Sequence, residues 1–506
     1  MSEEEAERAR RSEKEREPAS GGEARESPAF AIWTSGVYLL MWSVLMIHGW
    51  SNLVLEAPAG QLQYPAWSAV RMTNRDLELA EAISVLPPRQ RQLSEWVHGT
   101  RDETLTNAIA IHQDVVFQLE ALTAETPGSL ESLDLARAQL AILLAESGDY
   151  DEALATAEAI AWPPDFAAGL LHTYVDAPSP RDDPLEIFAA AGLSEWSFQR
   201  AAASLAARTG RLREARIIEA ELLETGRRWL RRSNRVLAVN FALGLLGIAA
   251  IGLWVLRTRR SRPSSWQGQA TPWLLADGLG VLLRGDFWNR LYYLVLFQLE
   301  ELSPSFAESA LGELLSTGAT LFASVPLVWL TYRYLYLPHR RVANDPFGFG
   351  LRRPARAWGR LAAVAFVALG VDLAGSYVLG WASWGLGAHG HWAEGFDENL
   401  IWGLPSRAFL TGLDYVAWAP LMEELAFRGI LFFSLRRRLG AVPAALLSAT
   451  VFGLMHFYGL PGFLMTFWSG LVWALAFERA RSLLPGIAAH SVYNLLYVLG
   501  LVLIYR

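Results

Sequence analysis

Apolar positions along this chain fall into long unbroken runs at both ends of the sequence and into helix-spaced stripes between them. Phe30–Leu55 runs for 26 residues without Asp, Glu, Lys or Arg, and roughly 20 apolar residues cross a bilayer as a helix. A cleaved signal peptide would have a shorter apolar region and a small-residue cleavage site, so the segment 29–55 is expected to be a transmembrane anchor. Ahead of it, residues 1–28 form a charged low-complexity tail (EEEAERARRSEKERE). Such a tail cannot bury a core and is expected to be disordered.

Residues 56–235 are polar and helix-patterned, with Pro and Gly punctuation. LARAQLAILLAESGDYDEALATAEAI, from Leu135 to Ile160, carries small and apolar residues at helical spacing, is interrupted at Gly148 and resumes after Tyr150. A weaker copy runs from Ser204 to Gly226 around Gly210. The pattern predicts a soluble domain of tetratricopeptide-like helical hairpins, although the two copies are not spaced as a regular repeat of roughly 34 residues.

The rest of the chain is apolar again. Val236–Leu256 (the span 236–256) is interrupted only by Asn240 and flanked by arginines. Further spans are expected at Leu314–Tyr332, Leu361–Trp384, 401–422, 439–457, 460–477 and 483–505. Trp273–Leu299 is ambiguous because Asp277, Arg284, Asp286 and Arg290 lie in it, and part of it could rest in the interface. The prediction is therefore an all-α protein: a polytopic membrane helix bundle of about nine spans, its body at 272–506, with the soluble hairpin domain inserted between its first two spans. Loops set the orientation. His339–Arg360 and Leu431–Gly440 are Arg-rich, whereas 300–309 and 385–400 contain no Lys or Arg. The positive-inside rule places the Arg-rich loops in the cytoplasm. If Trp273–Leu299 crosses, the helical domain lies outside, although the arginines at 227, 228, 231, 232 and 235 would then sit against that rule.

Composition sharpens this picture. Apolar residues make up 52% of the chain and charged residues 19%, which is the balance of a membrane protein rather than of a soluble enzyme. A net charge of −7 spread over both signs gives nucleic acid no place as a partner. There is no cysteine, which excludes disulfides, thiolate metal sites and cysteine catalysis. The Arg, Ala, Leu, Gly and Trp bias reads as GC-rich bacterial coding and hence as a bacterial inner-membrane protein.

Charged groups inside membrane helices cost roughly 2.5–3.5 kcal/mol each, so they are functional suspects. The densest group is LMEELAFRG, from Leu421 to Gly429. Glu424 and Arg428 are four apart and can pair on one face. Glu423 is rotated by about 100° and points elsewhere, which leaves one carboxylate for proton transfer. His456 (in FGLMHF) and His490 (in HSVYN) follow on separate apolar helices, with Asn494 four residues after His490. Histidine supplies a base, an acid or a ligand, and an Asn amide supplies a neutral donor. Each residue alone has an ordinary structural reading as a helix pair, an interfacial side chain or interhelical glue. Their conjunction on separate membrane helices does not. Asp372 and Asp414 could line a polar cavity, and His389, His391, Glu394, Asp397 and Glu398 crowd a loop read as solvated.

The order EExxxR, FxxxH, HxxxN resembles the CAAX protease and bacteriocin-processing family of intramembrane endopeptidases. Here it reads Glu423-Glu424…Arg428, Phe452…His456 and His490…Asn494, with Pro420 and FRG at 427–429 as further likenesses and FGFGLRRP at 347–354 a looser one. The resemblance covers about residues 410–500 and leaves the first 260 unexplained. It implies hydrolysis of a peptide bond in a membrane-associated protein or peptide. Glu423, helped by His456, would activate water; His490 and Asn494 would stabilise the oxyanion; Arg428 would hold Glu424. No cofactor is required by that scheme. A divalent metal such as zinc held by Glu and His is the alternative, and no HExxH helix decides it. The competing class is a non-proteolytic scaffold or bacteriocin-immunity-type protein that binds partners through the helical domain. In either class the bilayer is a partner, and stacked hairpins offer a groove for a protein partner.

Overall fold

The computed structural model describes residues 35–44, 46–47, 62–123, 130–175, 184–258, 272–307, 309–340, 347, 355–388 and 390–506. The expected tail 1–28, most of the loop 347–354 and both ends of the expected anchor 29–55 lie outside these residues. All regular structure among them is helical.

Ser35–Val44 (α1) is what the described residues show of the anchor. The hairpin domain follows as Pro65–Ser84 (α2), Pro88–His98 (α3), Arg101–Thr123 (α4), Leu130–Ser147 (α5), Tyr150–Glu158 (α6), Phe166–Tyr174 (α7), Pro184–Ala190 (α8) and Glu195–Arg208 (α9). At both stretches where the apolar pattern is interrupted, two helices meet at a turn. α5 turns into α6 at Gly148 (φ +90°), and α9 turns into the next helix at Gly210 (φ +77°), a left-handed backbone that glycine adopts without steric cost. Asp149 caps α6 by accepting from the Glu152 N–H at 3.3 Å. The hairpins close over a core of Ala138, Ile142, Ala153, Phe166 and Phe188, all without exposed surface. His112 is a core residue here: its Nε2 lies 3.1 Å from Thr73 Oγ1, and burial pushes its pKa down to about 3, so it is neutral.

The expected boundary at 235/236 falls inside one helix. Leu212–Thr258 (α10) is 47 residues long, about 70 Å at 1.5 Å per residue. It packs on α2 of the domain and then runs on as a membrane span. Within the bundle it crosses Ala355–Gly385 (α14) at Gly247 and Gly370, so close that a Cβ on either would collide with the other's Cα. Asn240 Nδ2 donates to Tyr377 Oη beside that crossing at 3.0 Å.

The remaining elements are Leu275–Leu302 (α11), Ala310–Thr317 (α12), Ala319–Leu330 (α13), the helical run 405–439 (α15), Ala441–Leu454 (α16), Leu460–Ala480 (α17) and Leu484–Tyr505 (α18). The ambiguous segment, α11, is one continuous helix. Its N-terminal flank, Trp273, packs on Phe347, Phe433 and His339 beside the Arg-rich loops. Further along, Arg290 lies over Phe457 near the opposite side. Its charges are accommodated inward, as in the Asp286–Arg290 pair at 2.8 Å. The expected span Leu314–Tyr332 is bent by 60° at the break between α12 and α13. The expected 401–422 helix starts at Pro405 and does not stop at 422; it continues through the glutamates to Leu439 by way of two π-helical stretches, Asp414–Trp418 and Glu424–Phe432. Among the described residues four helices are individually long and apolar enough to cross a membrane, or up to five if the bent pair is one span. α11 and α15 carry too many charges to pass on apolarity, and α16 has only 14 residues. The chain is an integral membrane protein.

Candidate active site

The π-helical stretch Glu424–Phe432 brings the acidic run into the bundle core. Such stretches re-aim side chains and recur at functional sites. Glu424 and Arg428 form an ion pair at 2.9 Å with side chains 0% and 1% exposed. Aromatic faces enclose the guanidinium, with Phe452 at 4.3 Å and Trp473 at 5.0 Å from Cζ. Gly486 makes room for the Glu424 carboxylate, since a Cβ there would press on Oε2. Glu423 is placed differently. Its side chain retains 30% of its surface and lines a cavity of about 1510 Å³.

Two histidines converge on that carboxylate. His456 Nε2 lies 4.0 Å and His490 Nε2 3.8 Å from Glu423 Oε2. Each ring is held from behind. His456 Nδ1 meets the Phe452 carbonyl at 2.7 Å, and His490 Nδ1 faces Glu424 Oε1 at 3.4 Å. A partner on Nδ1 fixes ring orientation and decides what Nε2 can do. Trp473 stacks on His490, with ring centroids 3.9 Å apart. Glu423, Glu424, Arg428, His456 and His490 therefore form one cluster. Asn494 stands to its side, donating Nδ2–H to the Tyr415 carbonyl at 2.8 Å; an amide nitrogen carries a second hydrogen. Among the described residues no group of three or more His, Asp or Glu is arranged to hold a metal ion.

The cavity's other wall carries charge as well. α11 contributes Arg284, Asp286, Asn289 and Arg290, and α1 contributes Ser35, Leu39 and Trp42. Trp42 Nε1 donates to Asp286 Oδ2 at 2.5 Å. The charges that made α11 ambiguous in sequence thus face the same space as Glu423.

Of the two aspartates noted in sequence as able to line a polar cavity, Asp372 is fully buried and accepts from Ser469 Oγ at 2.7 Å, near Arg428, whereas Asp414 is half-buried. Other neighbours of the cluster were not legible in sequence. Trp473 and Gly486 carried no signal beyond being apolar or small. The loop read as solvated is instead a strap between the helical domain and the site. His391 Nε2 and Trp392 Nε1 reach Asp114 Oδ2 at 3.1 and 3.2 Å. Glu398 accepts from Gln63 N, Tyr64 N and Ser68 Oγ at the start of α2, at 2.6, 2.8 and 2.8 Å, where a helix N-terminus favours a carboxylate. On its other side, Glu394 accepts the Gly459 N–H at 3.0 Å, three residues after His456. Asp397 accepts from Tyr415 Oη at 3.1 Å, and Tyr415 is the residue whose carbonyl engages Asn494.

Residues 405–496 match the family model described as Rce1-like, Type II CAAX prenyl endopeptidase. The match takes in all six of the residues singled out in sequence and covers less than a fifth of the chain. No curated protein and no solved structure matches it.

Proposed function

We propose that the chain is an intramembrane endopeptidase, in which Glu423 activates a water against a peptide bond of a membrane-associated protein or peptide. The observation that carries this reading is the convergence of both histidine Nε2 atoms on one cavity-facing carboxylate, within a segment similar to a peptidase family. With its Nδ1–H donated to the Phe452 carbonyl, neutral His456 presents a bare Nε2. At about 4 Å, Nε2 and Glu423 Oε2 are both acceptors, and one water can donate a hydrogen to each at ordinary lengths. Glu423 takes a proton as the water oxygen bonds to the carbonyl carbon. The C–N bond then breaks, and that proton passes to the leaving nitrogen. His490, whose Nδ1 faces Glu424 Oε1 at 3.4 Å, would offer Nε2–H to the oxyanion, joined by the second hydrogen of Asn494.

His456→Ala and His490→Ala are each expected to lower cleavage at least ~100-fold, the scale of a lost base or oxyanion donor. The assay is mass spectrometry of membrane-derived peptides incubated with purified protein. Undiminished cleavage by either variant would remove that histidine from the mechanism. Elemental analysis of the active protein addresses the metal alternative: stoichiometric zinc whose chelation ends activity would replace the water–glutamate route.

The helical domain is read as the recruiting module for substrate or partner, built from tetratricopeptide-like hairpins, and as extracytoplasmic. Its strap, 390–402, belongs to the Lys/Arg-free side of the bundle, at the far end of α14 from the arginines at 352–360. Protease added outside intact cells should therefore cut an epitope placed at 127–129; protection of that epitope would reverse the orientation. The strap also gives the domain a hold on the site. Glu394→Ala should cost about 10-fold in rate, the effect of one lost positioning contact of ~1.4 kcal/mol. Glu394→Gln, which keeps an acceptor for the Gly459 N–H, should stay near wild type. Equal behaviour of the two variants would show that the contact does not position His456.

A further inference from the structure

α3 does not pack like the other helices of its domain. None of its residues is buried. Leu93, Trp96 and Val97 are 66%, 56% and 37% exposed and, spaced i, i+3, i+4, form one apolar face. Two contacts fix the height at which this face sits. The Trp96 ring lies against Trp381, centroids 4.9 Å apart, near the end of the membrane span Arg356–Gly385. His98 lies beside the side chain of Asn234, just ahead of the apolar stretch of α10 that begins at Val236. Two independent spans thus place α3 level with the edge of the hydrocarbon. Trp381 and Trp384 are themselves exposed there, as aromatic residues are at a membrane–water boundary. Arg235 of α10, immediately before Val236, presents an exposed cation at this level, complementary to phosphate headgroups.

We propose that α3 is an interfacial membrane-binding helix whose Leu93–Trp96–Val97 face inserts at the headgroup–acyl boundary, with phospholipid as its ligand. Through the Trp96–Trp381 contact this face adjoins an exposed aromatic residue of the membrane span α14, which selects the bilayer over a protein partner as its occupant. An amphipathic helix of this kind lies in the interface plane, its apolar face buried by roughly 5–10 Å. The hairpin domain is then held to the membrane along its flank as well as through α10, independently of any peptidase activity.

The chain contains no cysteine, so a single introduced thiol reports without background. Full-length Leu93→Cys, nitroxide-labelled and reconstituted in vesicles of mixed phosphatidylcholine and phosphatidylglycerol, should be relaxed more by oxygen than by a water-soluble nickel chelate. Leu212→Cys is the aqueous reference: Leu212 is 55% exposed and lies about 36 Å along α10 from Val236. It should show the opposite preference. A label at 93 as accessible to the chelate as the label at 212 overturns the proposal. Val97→Cys on the same face must agree with position 93, and Arg91→Cys on another face of α3 should be the more chelate-accessible. Equal immersion of 91, 93 and 97 would overturn an oriented interfacial helix.

Discussion

Glu423→Gln is expected to lower cleavage by roughly 1,000-fold or more, within the range a positioned base contributes, while leaving the thermal transition of the purified protein where it is. The amide keeps the size and shape of the side chain, so the cavity wall and the packing of α15 are retained. What is lost is the ability of Oε2 to take a proton. The side chain keeps 30% of its surface toward the cavity and has no ion-pair partner closer than the two imidazoles at 3.8 and 4.0 Å. Neutralising it strands no buried cation. Residual cleavage within ten-fold of wild type would sink the proposed base. An unstable Glu423→Gln protein would show that this carboxylate serves the fold.

The neighbouring glutamate should behave in the opposite way. Glu424→Gln is expected to destabilise the protein by about 3–5 kcal/mol, the cost of breaking one side of a buried pair, read as a lower transition in detergent and earlier loss of the monodisperse species. Arg428, 0% exposed, would keep its charge among Phe452, Trp473 and Asp372 with its 2.9 Å partner gone. Arg428→Met should be comparably harmful because it strands Glu424. Replacing both by apolar residues of similar volume should recover a large part of the stability, but not activity, since Glu424 also backs His490 at 3.4 Å. Gly486→Ala probes the same point from the other helix, where an added methyl meets Glu424 Oε2. If Glu424→Gln and Glu423→Gln melt alike, the division between a structural and a chemical glutamate fails.

That expected division follows from the sequence, because it rests on helical geometry alone. Residues four apart share a face and adjacent residues do not. The same logic made both helical hairpins legible: Gly148 and Gly210 interrupt apolar periodicity at positions where the backbone takes positive φ. Membrane character followed from run length and composition, and the family likeness followed from three short motifs in order. Each of these signals is local, confined to a few turns of chain or to a count.

What the tertiary structure decided is non-local. The charges of α11 read in sequence as a reason to doubt a span. Spacing lets Asp286 and Arg290, four apart, pair with one another, but only packing shows that they face the Glu423 cavity, where their cost in hydrocarbon is reduced. The acidic and histidine-bearing strap around 391–398 reads as a solvated loop because its partners, Asp114, Ser68, Gly459 and Tyr415, lie between 18 and 330 residues away. Hydrogen bonds over such separations leave no periodicity in either segment. Trp473 and Gly486 were silent for the same reason: stacking on His490 and leaving room for Glu424 are properties of surfaces brought together by folding. The sequence by itself determined which side chains are candidates for the chemistry and which helices bear them. The packing of α11, α14, α17 and the strap determined which of those side chains faces a cavity, which is sealed, and how a distant helical domain comes to hold the rim of the site.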